Sequence, residues 1–117
     1  MAEVGGLLSG FASCEVFEDA LHVWELAVAF EAQGRGAGRA LMEAAVAEAR
    51  RRACPAVTLT TFRDVPWNAP FYRSLGFAEI PEAAFNARLA FIREREGKAG
   101  LHIPSRCAMR LELERRD

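Results

Sequence analysis

The sequence predicts an α/β (α+β) fold, a mixed and mainly antiparallel sheet flanked by helices. Three observations predict it. An apolar run from Trp24 to Phe30 leads through Gly34, Gly36 and Gly38 straight into a helical pattern, and a short β-rich segment follows that helix. A strand, a helix and a strand make a βαβ unit, so the two strands should run parallel through a right-handed crossover. On either side lie antiparallel signatures: two apolar stretches split by a short polar break before the unit, and the alternating segment Ser105–Leu113 after it.

The first hairpin strand reads from about Leu7 to Phe17, punctuated by Gly5, Gly6 and Gly10. Glu18-Asp19 is the break, and residues 20–30 form the second strand, with Val23, Leu26, Val28 and Phe30 among apolar neighbours. The helix after the glycines runs from about Gly36 to Ala53, where Leu41, Met42, Ala45, Val46 and Ala49 recur at helical spacing and form one apolar face. Pro55 stops it, because the residue before a proline avoids the helical region. Arg50-Arg51-Arg52 reads as its solvated end, where cations suit the helix dipole. Ala56–Phe62, rich in β-branched residues, is a largely buried strand.

Residues 63–67 form a loop. Asn68 is placed to cap a short helix, Ala69–Leu75, with Pro70 in its first turn and Gly76 at its end. Phe77–Ile80 is a brief strand. Pro81 opens a second helical stretch, Glu82–Glu96, with Phe85, Leu89 and Ile92 on one face, and Gly97-Lys98-Ala99-Gly100 breaks it. In Ser105–Leu113, Cys107, Met109, Leu111 and Leu113 fall on one side, and Arg106, Ala108, Arg110 and Glu112 on the other.

The 117 residues suit a single domain spanning the whole chain, and 51% hydrophobic residues are enough to give it a core. The net charge of −1, with no long basic or acidic block, argues against nucleic acid as a partner. No apolar run approaches the roughly twenty residues of a membrane span. The opening Met-Ala-Glu-Val lacks the basic lead of a signal peptide, so a cytoplasmic location is expected. Cys14, Cys54 and Cys107 fit neither a disulfide framework nor a zinc site and read as buried thiols in a reducing compartment. His22 and His102 stand apart from other ligand types, so no metal is expected.

The glycine turn carries chemistry. Glycines let a turn run tight and let a bound group approach the backbone. The first N–H groups of the following helix have no intrahelical partner, and the dipole adds partial positive charge there. Together these make an anion site suited to phosphate. Gly34-Arg35-Gly36-Ala37-Gly38 is neither a dinucleotide fingerprint nor a P-loop, since it lacks the spacing of the first and the Gly-Lys-Ser/Thr of the second.

Written as Gln33-x-x-Gly36-x-Gly38, the turn resembles the acyl-CoA pyrophosphate loop of the GCN5-related N-acetyltransferases, the GNAT superfamily. A second segment, Trp67-Asn68-Ala69-Pro70-Phe71-Tyr72-Arg73-Ser74-Leu75-Gly76-Phe77, resembles the later part of that family, where an asparagine opens a helix, a tyrosine lies within it and Gly-Phe begins the next strand. The two motifs stand in the family's order, and the likeness covers about residues 4–113.

That resemblance implies a binding mode and a mechanism. By analogy with the family, the central parallel pair is splayed, and acetyl-CoA, as co-substrate, lies in the wedge between Trp24–Phe30 and Val57–Phe62. The backbone of Leu26, Ala27 and Val28 pairs with the pantetheine amides. Amides of Gln33, Gly34, Arg35, Gly36, Ala37, Gly38 and Arg39 hold the pyrophosphate, with Arg35 and Arg39 adding charge. Asn68, Phe71 and Tyr72 complete the cofactor contacts. The acceptor amine attacks the thioester directly, backbone N–H near Val28 stabilises the oxyanion, and Tyr72 acts as general acid. Glu25 is the candidate base. Read from the residues alone, Asn68 is a helix cap, Tyr72 a core aromatic and Glu25 a residue on a solvated strand face.

One departure has consequences. Members of the superfamily begin with a strand and one or two helices before the hairpin, whereas this chain starts almost at the hairpin. An open sheet edge would result, which a second copy could cover, so a homodimer is expected. The acceptor, a small-molecule or protein amine, is not named by the sequence. The alternative reading is an acyl-CoA-binding regulatory module without turnover.

Overall fold

The computed structural model describes residues 2–4, 10–28, 36–65 and 68–113. These form two compact units, one made of residues 1–59 and 112–117, the other of 60–111. Six strands and three α-helices are found among the described residues: β1 (Ala2–Val4), β2 (Gly10–Val16), β3 (Leu21–Val28), α1 (Ala37–Arg51), β4 (Ala56–Phe62), α2 (Ala69–Ser74), β5 (Ala78–Ile80), α3 (Ala87–Lys98) and β6 (Arg106–Glu112). The sheet is mixed and mostly antiparallel with one parallel pair, as expected.

In the first unit the strand order is β1-β2-β3-β4. Strands β2 and β3 form the expected hairpin, in register from Gly10↔Val28 to Val16↔Leu21. Its turn closes where the Phe17 N–H donates to the Ala20 carbonyl at 2.8 Å. Strands β3 and β4 run parallel from Leu21↔Val57 to Val23↔Leu59. Helix α1 makes the crossover and packs against β2 and β3. Leu41, Met42, Ala45 and Ala49 on its face are buried with Ala12, Cys14, Leu21, Val23, Val57 and Leu59. Its last turn holds Arg50 and Arg51, and Arg51 and Arg52 both pair with Glu48.

The N-terminal region differs from expectation. Within the expected strand of about Leu7–Phe17 the described strand is Gly10–Val16, and residues 5–9 lie outside the described residues. Ahead of it, Ala2–Val4 pairs antiparallel with Val4↔Ala12 and Ala2↔Cys14. The edge of β2 expected to stand open therefore carries β1. Three residues with a glycine pair behind them give too short a pattern to register as a strand in the sequence.

In the second unit the carboxyl end of β4 is followed in strand order by β6 and β5. The Arg63 N–H donates to the Ser105 carbonyl at 2.7 Å, and β5 pairs antiparallel with β6 from Ala78↔Arg110 to Ile80↔Ala108. The predicted helix Glu82–Glu96 is replaced by a 3-10 turn at Glu82–Ala84 and by α3 beginning at Ala87. Asn86 starts α3 because its side chain accepts from the Leu89 N–H at 2.9 Å. The helix runs through Gly97 and stops before Gly100, whose φ of +90° suits glycine. Leu89 and Ile92 pack with Ala108, and Ile80 and Phe85 lie against them. Ala108 is thus buried although the alternation put it on a polar face, because α3 covers that side of β6. Gly76 closes α2 at φ +100°, and a Cβ there would sit 3.3 Å from Leu111 Cδ1.

All three cysteines are free thiols and buried. The second unit also contains a part-buried ionic cluster. Arg106 donates to Glu96 Oε2 at 2.7 Å, Thr60 donates to the same oxygen at 2.7 Å, and the Arg106 guanidinium lies 4.6 Å from the Phe62 ring centre. Each ionic side chain is only 13% exposed. Removing one partner of such a pair strands the other charge. Glu96→Ala should lower stability by about 3 kcal/mol, seen as a reduced urea midpoint with unchanged slope. Replacing Glu96 by leucine together with Arg106 by methionine should cost clearly less.

Candidate active site

The first unit holds a helix terminus with unusual chemistry. Gly36 is the N-cap residue of α1 at φ 80° and ψ 8°, in the left-handed region, and no side chain caps the helix. The Ala40 N–H returns to the Gly36 carbonyl at 3.0 Å, which leaves the amides of Ala37, Gly38 and Arg39 without an i−4 partner. No acidic residue lies in the first turn. Among the described residues, a Cβ placed on Gly36 would meet nothing within 4 Å. Of the predicted loop residues, Gln33, Gly34 and Arg35 lie outside the described residues. Arg39 is exposed and pairs with Glu43 at 3.0 Å. A surface pair at this spacing contributes only a few tenths of a kcal/mol.

Strand β3 changes character midway. Its pairing with β2 shifts register between Ser13 and Cys14, with Ser13↔Glu25 and Cys14↔Val23. Trp24 is therefore an extra residue, a bulge of the kind that bends a strand and re-aims side chains. Within the first unit the parallel ladder to β4 runs to Val23↔Leu59, one residue before the bulge, and Leu26, Ala27 and Val28 pair with β2. Glu25 and Trp24 are exposed, Trp24 by 42%. The Trp24 indole N–H donates to Glu15 at 3.1 Å. His22, two positions earlier, is fully buried and hydrogen-bonds Thr58 through Nδ1 at 2.8 Å. It is a core residue and faces no solvent-borne acceptor.

The second unit holds the aromatic segment. Tyr72 is 7% exposed in α2, with its ring centre 5.2 Å from Phe71 and 5.8 Å from Phe77, both edge-on. Burial pushes its phenol up to about 12, so the hydroxyl keeps its proton at neutral pH. Asn68 stands at the N-cap position of α2 but makes no side-chain cap bond. Its Oδ1 instead accepts from the Thr61 hydroxyl at 2.9 Å. Thr61 is a site-region residue that sequence reasoning missed. The available signal was period two: Thr61 leaves β4 on the face opposite Thr60, at the strand's carboxyl end.

Among the described residues, no group of three or more His, Cys, Asp or Glu gathers as a metal ion would need, and no helix is long and apolar enough to cross a membrane.

Comparison with known proteins gives a consistent picture. The profile of the acetyltransferase (GNAT) family matches residues 1–77. The chain is 32% identical over 111 residues to N-alpha-acetyltransferase 40 of Saccharomyces cerevisiae, covering 89% of this chain and 39% of that protein. It is 39% identical over 74 residues to the chloroplastic serotonin N-acetyltransferase 2 of Oryza sativa subsp. japonica, covering 63% of this chain and 34% of that one. It thus spans between a third and two fifths of these relatives. N-acetylglutamate synthase from Neisseria gonorrhoeae, solved with coenzyme A and N-acetyl-glutamate, shares the fold with a TM-score of 0.70 at 18% identity, over 92% of this chain and 23% of that one.

Tyr72 is the sole tyrosine, so its titration can be read directly. In the unfolded chain the phenol ionises near pH 10, whereas in the folded chain it is raised to about 12. Stability is therefore full below pH 10 and declines between about pH 10 and 12, by about 2–3 kcal/mol. Absorbance at the tyrosinate band should stay flat to about pH 10.5 in buffer and rise near pH 10 in urea.

Proposed function

The chain belongs to the GNAT family of acetyltransferases, and from that premise we propose that it is an N-acetyltransferase moving an acetyl group from acetyl-CoA to a primary amine. The amides opening α1, with Gln33, Gly34, Arg35, Gly36, Ala37, Gly38 and Arg39, take the diphosphate of the acyl carrier. The main chain of Leu26, Ala27 and Val28 receives the pantetheine arm as an added strand, and Asn68 and Phe71 contact that arm. The amine nitrogen attacks the thioester carbonyl, forming the C–N bond of a tetrahedral intermediate, which then collapses as the C–S bond breaks. Glu25 accepts the proton leaving the amine. A backbone N–H near Val28 steadies the developing oxyanion. Tyr72 gives its phenolic proton to the departing thiolate, a role suited to a group that stays protonated.

The observation that supports this reading most is the bare N-terminus of α1. An uncapped helix of 15 residues, led by a left-handed glycine with open space over its Cα and no carboxylate in its first turn, fits a diphosphate. The three buried free thiols agree with a cytoplasmic setting. The homodimer rests on a narrower basis than a bare hairpin would give, since the outermost strand of the first unit is the three-residue β1. A monomer in light scattering at micromolar concentration removes it.

Calorimetry with acetyl-CoA, followed by thiol release over a panel of amines, tests the reading. Binding with release from at least one amine is expected, and Tyr72→Phe should lower the rate about 100-fold with acetyl-CoA affinity retained. Binding without release from any amine would make the chain a sensing module. Absence of binding would end the acyl-transfer reading.

A further inference from the structure

We infer that Thr61 is a positioning residue for the acyl carrier: its hydroxyl holds the Asn68 carbonyl oxygen and so aims the Asn68 amino group as a donor toward the pantetheine arm. This rests on the proposed contact between Asn68 and that arm, and adds to it the residue that fixes its direction. Two observations within the second unit carry it. The Thr61 hydroxyl donates to Asn68 Oδ1 at 2.9 Å from a side chain that is 5% exposed. Asn68 sits where a capping oxygen would bond the amides of its own helix, yet it makes no such bond, and its backbone lies at φ −114°, ψ −111°.

The chemistry derives from the amide's two ends. A side-chain amide accepts at its oxygen and donates at its nitrogen. An oxygen engaged by a helix N–H would tie the amide to α2. An oxygen engaged by Thr61 ties it to β4 instead, and the planar group then has one orientation for Nδ2. The partner such a donor suits is a neutral carbonyl, and the pantetheine arm carries two amide carbonyls. Threonine suits the holding role because its β-branch restricts χ1 within a strand. Its neighbour Thr60 bonds Glu96 at 2.7 Å, and successive residues of a strand face opposite sides, so the end of β4 is fixed on both.

The test is calorimetric and needs no turnover. Two probes are used: CoA, and 3′-phospho-ADP, which is CoA without its pantetheine arm. Thr61→Val should weaken CoA binding about fivefold to tenfold, the size of one oriented hydrogen bond, and leave 3′-phospho-ADP unchanged. Thr61→Ser, which keeps the hydroxyl, should stay within about twofold of the parent. Asn68→Ala should lose as much as Thr61→Val, and the double variant should lose no more than Asn68→Ala alone. Wild-type CoA affinity in Thr61→Val beside a weakened Asn68→Ala would overturn the positioning role and leave the Asn68 reading standing. Wild-type affinity in Asn68→Ala would remove the Asn68 reading, and the inference with it. Equal loss of both probes in Thr61→Val would show an effect on the fold and would also overturn it.

Discussion

Every peptide group of β3 must place an N–H and a C=O on alternating sides, and each needs a partner. From Leu21 to Val23 the strand meets that need on both edges, with β2 on one and β4 on the other. Past Val23 the pairing with β2 continues to Val28. The bulge at Trp24 falls one residue past the parallel ladder, and the buried His22–Thr58 bond lies just inside it. Ala56–Leu59 are buried because they lie where β4 is paired, whereas Trp24 and Glu25 lie beyond the ladder and are exposed. A strand edge that a neighbour leaves unfilled is receptive to an extended chain of amides, which is the basis of the proposed pantetheine contact at Leu26, Ala27 and Val28.

Electrostatics reinforce that asymmetry at the two ends of α1. The C-terminal end carries Arg50, Arg51 and Arg52, with Glu48 drawn into pairs that hold its carboxyl down to about 2. The N-terminal end carries no acid and no cap, so the positive end of the dipole is left for a ligand. Arg39 beside it is engaged, among the described residues, with Glu43, an exposed pair whose exchange for a phosphate costs little. In the second unit burial raises the Tyr72 phenol and keeps its proton in place at neutral pH.

The legible parts of the fold were those written by periodicity and punctuation. Ala56–Phe62 matches β4 end to end, and α1 lies within one or two residues of its expected span, because an apolar stripe and Pro55 define it. Local competition hid the rest. Pro81 looked like a helix start, yet a 3-10 turn forms there and Asn86 supplies the cap five residues later. Burial of Ala108 depends on α3, which no alternation within β6 encodes. In the candidate site, the glycine-led helix start was readable from the turn residues, and the burial of Tyr72 in α2 agrees with its reading as a core aromatic. The bulge was not legible, since it arises from register between two strands. Nor was the Thr61–Asn68 bond, which replaces the cap that sequence rules assign to Asn68.

The burial of Cys14, Cys54 and Cys107 has a consequence for the proposed acyl transfer, whose product would itself be a thiol. In that reaction each turnover would leave free CoA beside the protein, and a reachable thiolate would collect it as a mixed disulfide under mild oxidation. Burial, with the Glu48 charge adding to it, pushes the Cys14 thiol up to about 11, and the Cys54 and Cys107 thiols are also raised chiefly by burial. Thiols kept protonated and out of reach are poor nucleophiles. Such burial would insulate the chain from capture by released CoA, and it keeps the native sulfur silent toward chromogenic disulfide reagents.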